Sequence, residues 1–126
     1  MARYLLDTDV MIDVSRGNAD VASYIDSLSD AVISIVTAQE LIVGARDKRD
    51  VAAIDSLIST YSIEHIDDAV GLLAYDLLKR HAKSGGLRTF DSLIASTAMA
   101  RQLVLVTRYR KHFAMIDGLQ IAVPRF

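Results

Sequence analysis

The sequence contains no cysteine, no tryptophan and a single proline, Pro124. Without thiols it can form neither disulfides nor thiolate metal sites, which fits a cytoplasmic protein. It has no Pro-rich or low-complexity tract to act as a linker. No apolar run approaches the roughly 18 residues of a membrane-spanning helix, so no membrane association is expected. The N-terminus lacks a basic region followed by an apolar stretch and a cleavage site, and no signal peptide is expected. A P-loop, a G-x-G-x-x-G turn and a G-x-S-x-G elbow are all absent. The three histidines, His65, His81 and His112, have no zinc-like spacing and read as ordinary residues. What is present is 126 residues, 52% of them hydrophobic. That suits one domain over residues 1–126 with a substantial core.

Charge is unevenly spread. Residues 1–78 hold 14 Asp/Glu and 5 Lys/Arg, a balance of −9, whereas residues 79–126 hold 2 and 9, a balance of +7. An acidic centre beside a basic surface is one arrangement a nucleic-acid enzyme uses. The plain alternative is that folding mixes the two halves in space.

Periodicity separates strands from helices. Short apolar or β-branched runs predict strands at 3–6, 31–36, 62–66, 103–107 and 120–123. Helical spacing predicts helices at 10–17, 19–29, 37–46, 50–61, 68–86 and 90–102, with Gly85-Gly86 closing the long one. Strands alternating with helices predict an α/β class: a three-layer α/β/α sandwich around a mostly parallel sheet. Ligands in such folds collect at the carboxyl ends of the strands.

Three acids share that topology. Asp7 ends the apolar run "RYLL", where charge is costly unless paired. Glu40 lies one turn into the helix after the second strand, and Asp91 lies in the first turn of the helix before "LVLVT". If they converge, their repulsion calls for a hard cation bound by oxygen, Mg²⁺ or Mn²⁺. Each has a structural alternative. Thr37-Ala38-Gln39-Glu40 fits a capping box, Asp91 follows a candidate cap in Thr89, and Asp9 could cap a helix starting near Val10. Asp7 is the hardest to explain this way.

Taken together, "YLLDTDVMID", "TAQELIVGA", "TFDSLIASTAMARQLVLVT" and "TRYRKHF…IDGLQIAVP" resemble the PIN-domain ribonucleases, and within them the VapC toxins of toxin–antitoxin pairs. The resemblance covers nearly the whole chain. It implies an α/β/α sandwich, Mg²⁺- or Mn²⁺-dependent RNA cleavage, a homodimer, and inhibition by a cognate antitoxin protein. It places the catalytic, metal-holding acids on Asp7, Glu40 and Asp91. Asp9 and Thr107 would be supporting polar groups that fix the ligands. Arg108, Arg110 and Lys111, just past the same strand end, would hold the RNA backbone. One departure is Tyr109, which stands where the resemblance leads one to expect Asn or Asp, and this puts a second metal ion in doubt.

Two rival readings remain at this level. "LLDTDVMI" also looks like the start of haloacid-dehalogenase-type phosphatases, with Asp7 as nucleophile, although 126 residues leave no room for a cap domain. A degenerate PIN domain that binds RNA or a protein without cutting is the other, and Tyr109 is its best support.

Overall fold

The computed structural model describes residues 2–125. Met1 and Phe126, the ends of the expected domain, lie outside the described residues. The elements run β1 (Tyr4–Leu6), α1 (Thr8–Ser15), α2 (Ala19–Asp26), β2 (Ala31–Ser34), α3 (Ile35–Val43), α4 (Lys48–Ile58), β3 (Ile63–Glu64), α5 (Asp68–Gly85), α6 (Thr89–Ala100), β4 (Val104–Val106) and β5 (Ile121–Ala122). A 3₁₀ turn at Arg110–His112, which periodicity did not predict, follows β4. The strands form one sheet in the order β3-β2-β1-β4-β5, and every neighbouring pair is parallel.

The sheet is built by two-residue alternation. Leu5, Val32 and Leu105 face one side, where α5 and α6 cover them with Leu77, Ile94, Ala95 and Ala98. Leu6, Ile33 and Val106 face the other side, with Val10, Met11, Val21, Leu41 and Ile54 of α1 to α4. The result is the expected three-layer α/β/α sandwich. Covering both faces explains why the strand segments read as continuous apolar runs. The central strand β1 sits between β2 and β4, so its carboxyl end lies mid-sheet, where the chain order reverses.

Several helix starts differ from expectation. The β-branched run 31–36 does not stay extended. It turns helical after Ser34, whose buried Oγ accepts the Val36 N–H at 3.0 Å. Thr37 therefore lies inside α3 and is no cap, and the capping-box reading of Glu40 falls. α6 starts at Thr89 itself; its N-cap is Arg88, which offers no side-chain bond, so Thr89 is not the cap. Asp7, not Asp9, is the N-cap of α1. Gly86 closes α5 with φ 72°, as the Gly pair suggested.

Ser34→Ala is expected to cost about 1 kcal/mol, the usual worth of a helix cap. The midpoint of urea unfolding reads this directly. An unchanged midpoint would mean that something other than Ser34 starts α3.

Candidate active site

Asp7 leaves β1 and immediately caps α1. Its backbone N–H still belongs to the sheet, donating to the Val106 carbonyl at 2.9 Å. Its carboxylate is used on both sides. Oδ1 accepts the Thr8 N–H at 2.8 Å, and Oδ2 accepts the Thr107 hydroxyl at 2.9 Å. The residue is only 7% exposed. Burial is the main force pushing its pKa up, to about 7, and the neighbouring Asp9 charge pushes the same way. The two hydrogen bonds oppose the rise, and Asp91 adds a smaller push upward.

Asp9, one turn edge further, spans the site. Oδ1 accepts the Val10 N–H at 2.8 Å and Oδ2 accepts the Arg108 N–H at 3.0 Å. Burial raises its pKa too, against those same backbone bonds. Arg108 carries the tie further, with its Nη1 2.5 Å from Asp13 Oδ2. Asp9 and Asp13 together pin the loop after β4 onto α1.

Glu40 reaches the site through a hydroxyl relay. Thr8 Oγ1 donates to Glu40 Oε1 at 2.8 Å and lies 3.0 Å from Thr37 Oγ1. Because the Thr8 proton is committed to Glu40, the Thr37 hydroxyl donates to Thr8. Asp91 enters from the first turn of α6. It is half-buried, and burial raises its pKa, while the charges of Arg88 and His112 pull it back. Its only ion pair among the described residues is a loose 4.0 Å contact with Arg88 Nε.

The acids expected to meet thus sit around the carboxyl end of β1. Among the described residues, no three acidic or imidazole groups stand close enough together to hold one ion as they are. The donor chemistry nevertheless suits a hard cation. Asp7, Asp9 and Asp91 offer oxygen alone, and burial raises all three, so a positive charge placed between them would relieve what the protein does not.

The expected supporting groups fall beside Asp7: Thr107 bonds it directly, and Asp9 shares its end of the strand. Of the expected RNA-holding cations, Arg108 is tied to Asp13. Arg110 and Lys111 are exposed on the 3₁₀ turn and have no ion pair among the described residues. Tyr109 does not aim at the acids in place of an Asn or Asp. Its ring stacks on His112, with centroids 5.4 Å apart and planes at 24°. Thr8, Thr37, Asp13 and His112 went unrecognised in the sequence. Thr8 stood in plain view between two acids, but its partner lies 32 residues away.

The raised pKa of Asp7 fixes a direction with pH. Between its ordinary value of 3.8 and about 7, the folded chain holds a proton that the unfolded chain has lost. Stability from this group is complete below 3.8, declines as pH rises, and is gone above about 7. Asp7→Asn removes the titration. In EDTA, the variant is expected to gain on the wild type at pH 8, by up to about 4 kcal/mol, and the advantage is expected to shrink steadily as pH falls, vanishing only below 3.8. Thermal melts across that range decide it, and a pH-independent difference would refute the burial account.

The PIN domain family model matches residues 4–119. The chain is 30% identical to ribonuclease VapC10 of Mycobacterium tuberculosis, over 95% of this chain and 94% of that one. It is 28% identical to the tRNA(fMet)-specific endonuclease VapC of Shigella flexneri, over 95% and 96%. Among solved structures, it superposes on a toxin–antitoxin complex from Klebsiella pneumoniae with a TM-score of 0.81 and 27% identity, over 97% of this chain and 98% of that chain. With a family model spanning nearly all of it and a VapC ribonuclease 30% identical over 95% of its length, the chain belongs to the PIN domain family, among its VapC ribonucleases.

Proposed function

We propose that this chain is the endoribonuclease toxin of a toxin–antitoxin pair, and that Asp7, Glu40 and Asp91 hold the Mg²⁺ or Mn²⁺ on which RNA hydrolysis depends. One observation carries the site assignment. Asp7 at the end of β1 and Asp91 of α6 lie where burial disfavours their charge and no protein cation fully offsets it, and Glu40 of α3 is tied to the same strand end through the Thr8 hydroxyl. The matches run the length of the chain, and they favour neither the phosphatase reading of Asp7 nor the non-catalytic one. The partner is a cognate antitoxin protein, as in the toxin–antitoxin complex that the fold matches.

A divalent cation in this site supplies Lewis acidity, lowering the pKa of the attacking water and offsetting charge on the phosphate. The rest is the work of the side chains. Thr107 and the Thr8 N–H each occupy one oxygen of Asp7 and fix its plane. The Thr8 hydroxyl holds Glu40 by Oε1 alone, which leaves Oε2 to orient the attacking water or accept its proton. Asp91, whose one ion pair among the described residues is the long contact with Arg88, would be a ligand of that cation. Asp9 is a positioning residue, acting through the Arg108 backbone on the strand end that bears Thr107. Arg110 and Lys111 meet the RNA backbone as exposed cations.

Purified, antitoxin-free protein is expected to cut RNA in Mn²⁺ and to stop in EDTA. Cleavage unaffected by EDTA would remove the metal from the reading, and no cleavage of any RNA would favour a binding module. Glu40→Gln keeps an acceptor for Thr8 but loses the charge. It is expected to melt near the wild type while cleaving at least about tenfold more slowly, or ~1.4 kcal/mol of transition-state stabilisation.

Metal binding to the folded state alone raises the melting temperature. Wild-type protein is expected to gain on addition of Mn²⁺, and Asp7→Asn to gain little or nothing. A full gain in the variant would move the metal away from Asp7.

A further inference from the structure

Thr37 lies inside α3, fully buried, three residues before Glu40. Residues at that spacing share a helix face, so its hydroxyl and the Glu40 carboxylate both point toward α1. Between them stands the Thr8 hydroxyl, 3.0 Å from Thr37 Oγ1 and 2.8 Å from Glu40 Oε1. We propose that Thr37 is a positioning residue for Glu40: acting through Thr8, it fixes the one orientation in which that carboxylate serves the reaction. The inference rests on the ribonuclease reading of Glu40 and adds a residue buried away from the RNA.

Three observations carry it. The first is where the Thr37 proton goes. A threonine inside a helix can spend its hydroxyl on the carbonyl one turn back, as Thr97 does in α6 with Leu93 at 2.8 Å. Thr37 is as buried as Thr97, yet its one side-chain hydrogen bond among the described residues is with Thr8. The helix does not use this hydroxyl; the site does.

The second is direction. Each hydroxyl has a single proton. The Thr8 proton is committed to Glu40, so the donors run one way, from Thr37 in the core to Thr8 and on to the carboxylate. A hydroxyl that accepts one hydrogen bond donates the next more strongly, because bonds in a chain polarise one another. Oε1 is thereby occupied as an acceptor, and Oε2 is the oxygen left for water.

The third is how little else holds Glu40. Among the described residues it has no ion pair, and the Thr8 hydroxyl is its only side-chain hydrogen-bond partner. A long flexible side chain held at one point by a mobile hydroxyl would sample several rotamers. Thr8 is not mobile in this way. Its backbone N–H is bound to Asp7 Oδ1 at 2.8 Å, and its hydroxyl is bound to Thr37. Thr8 therefore sets the spacing of Asp7 and Glu40, and Thr37 is the anchor that keeps its side chain turned to do so.

Thr37→Val keeps the shape of the side chain and removes the hydroxyl, whereas Thr37→Ser keeps the hydroxyl. In EDTA, side-chain scalar couplings measured by NMR read the Glu40 rotamer without metal or RNA. Wild type and Thr37→Ser are expected to hold one rotamer, and Thr37→Val to average over several while melting near the wild type. In Mn²⁺, Thr37→Val is expected to lower kcat for RNA cleavage about tenfold with KM unchanged, and Thr37→Ser to restore it. Thr8→Val should cost at least as much, and adding Thr37→Val to it should cost nothing further, as for two groups acting in series. If Thr37→Val does not fold, Thr37→Ala, which suits a helix, is read in the same way.

A single Glu40 rotamer in Thr37→Val would overturn the proposal. So would a loss of cleavage that Thr37→Ser fails to restore, a change in KM alone, or losses from Thr8→Val and Thr37→Val that add in full. No Mn²⁺-dependent cleavage by the wild type would sink the ribonuclease reading instead, and the couplings in EDTA would still decide whether Thr37 holds Glu40.

Discussion

The hydrogen bond from the Thr107 hydroxyl to Asp7 joins residues 100 positions apart and brings together the ends of two neighbouring strands. Most of the site hangs on it. It holds the buried carboxylate in one plane, and the same Thr107 Oγ1 accepts the Tyr109 N–H at 3.2 Å, which turns the chain toward the 3₁₀ segment. Asp9 and Asp13 reinforce the junction from α1 by gripping Arg108. A buried carboxylate without such partners would protonate or destabilise its strand. Here the partners limit the rise without cancelling it, and the remaining stress is what a cation can relieve.

The charge division of the sequence survives folding only in part. Arg101 of the basic half reaches Asp67 at 2.7 Å and Glu64 at 3.6 Å, and Arg108 is taken up by Asp13. These pairs mix the halves, as the plain alternative held. Near the site, Arg110 and Lys111 make no ion pair among the described residues and Arg88 makes only its 4.0 Å contact with Asp91, and Arg88 and Lys111 border the Asp91 side. The acidic centre thus has a basic margin on one flank, where a polyanion meets attraction before it meets the carboxylates.

Much of this was legible in the sequence, for identifiable reasons. Leu5-Leu6, Val32-Ile33 and Leu105-Val106 are covered on both faces, so their runs announce central strands. Asp7 stood out because it breaks such a run. Helix starts were harder. Ser34 ends β2 inside a β-branched run because its own hydroxyl caps α3, a local bond that outweighs strand propensity at Ile35 and Val36. Thr37 consequently looked like a cap when it is part of the relay to Glu40. That relay and the Asp13 pair depend on contacts between distant segments, and no spacing rule within one segment reports them. Tyr109 was visible as a departure, but its orientation came only with the 3₁₀ turn.

The order of the sheet has a consequence for how the protein comes to be dangerous. β1 is made first but occupies the middle of the sheet, and its neighbour β4 arrives about a hundred residues later. While the chain is being synthesised from its N-terminus, Asp7 has no Thr107 to bond, Asp9 has no Arg108, and Asp91 has no strand beside it to set its helix. A partly made chain is therefore a collection of acids without a site. The arrangement matters most on the ribosome, a machine made largely of RNA: the topology itself delays the weapon until nearly all of the chain is in hand.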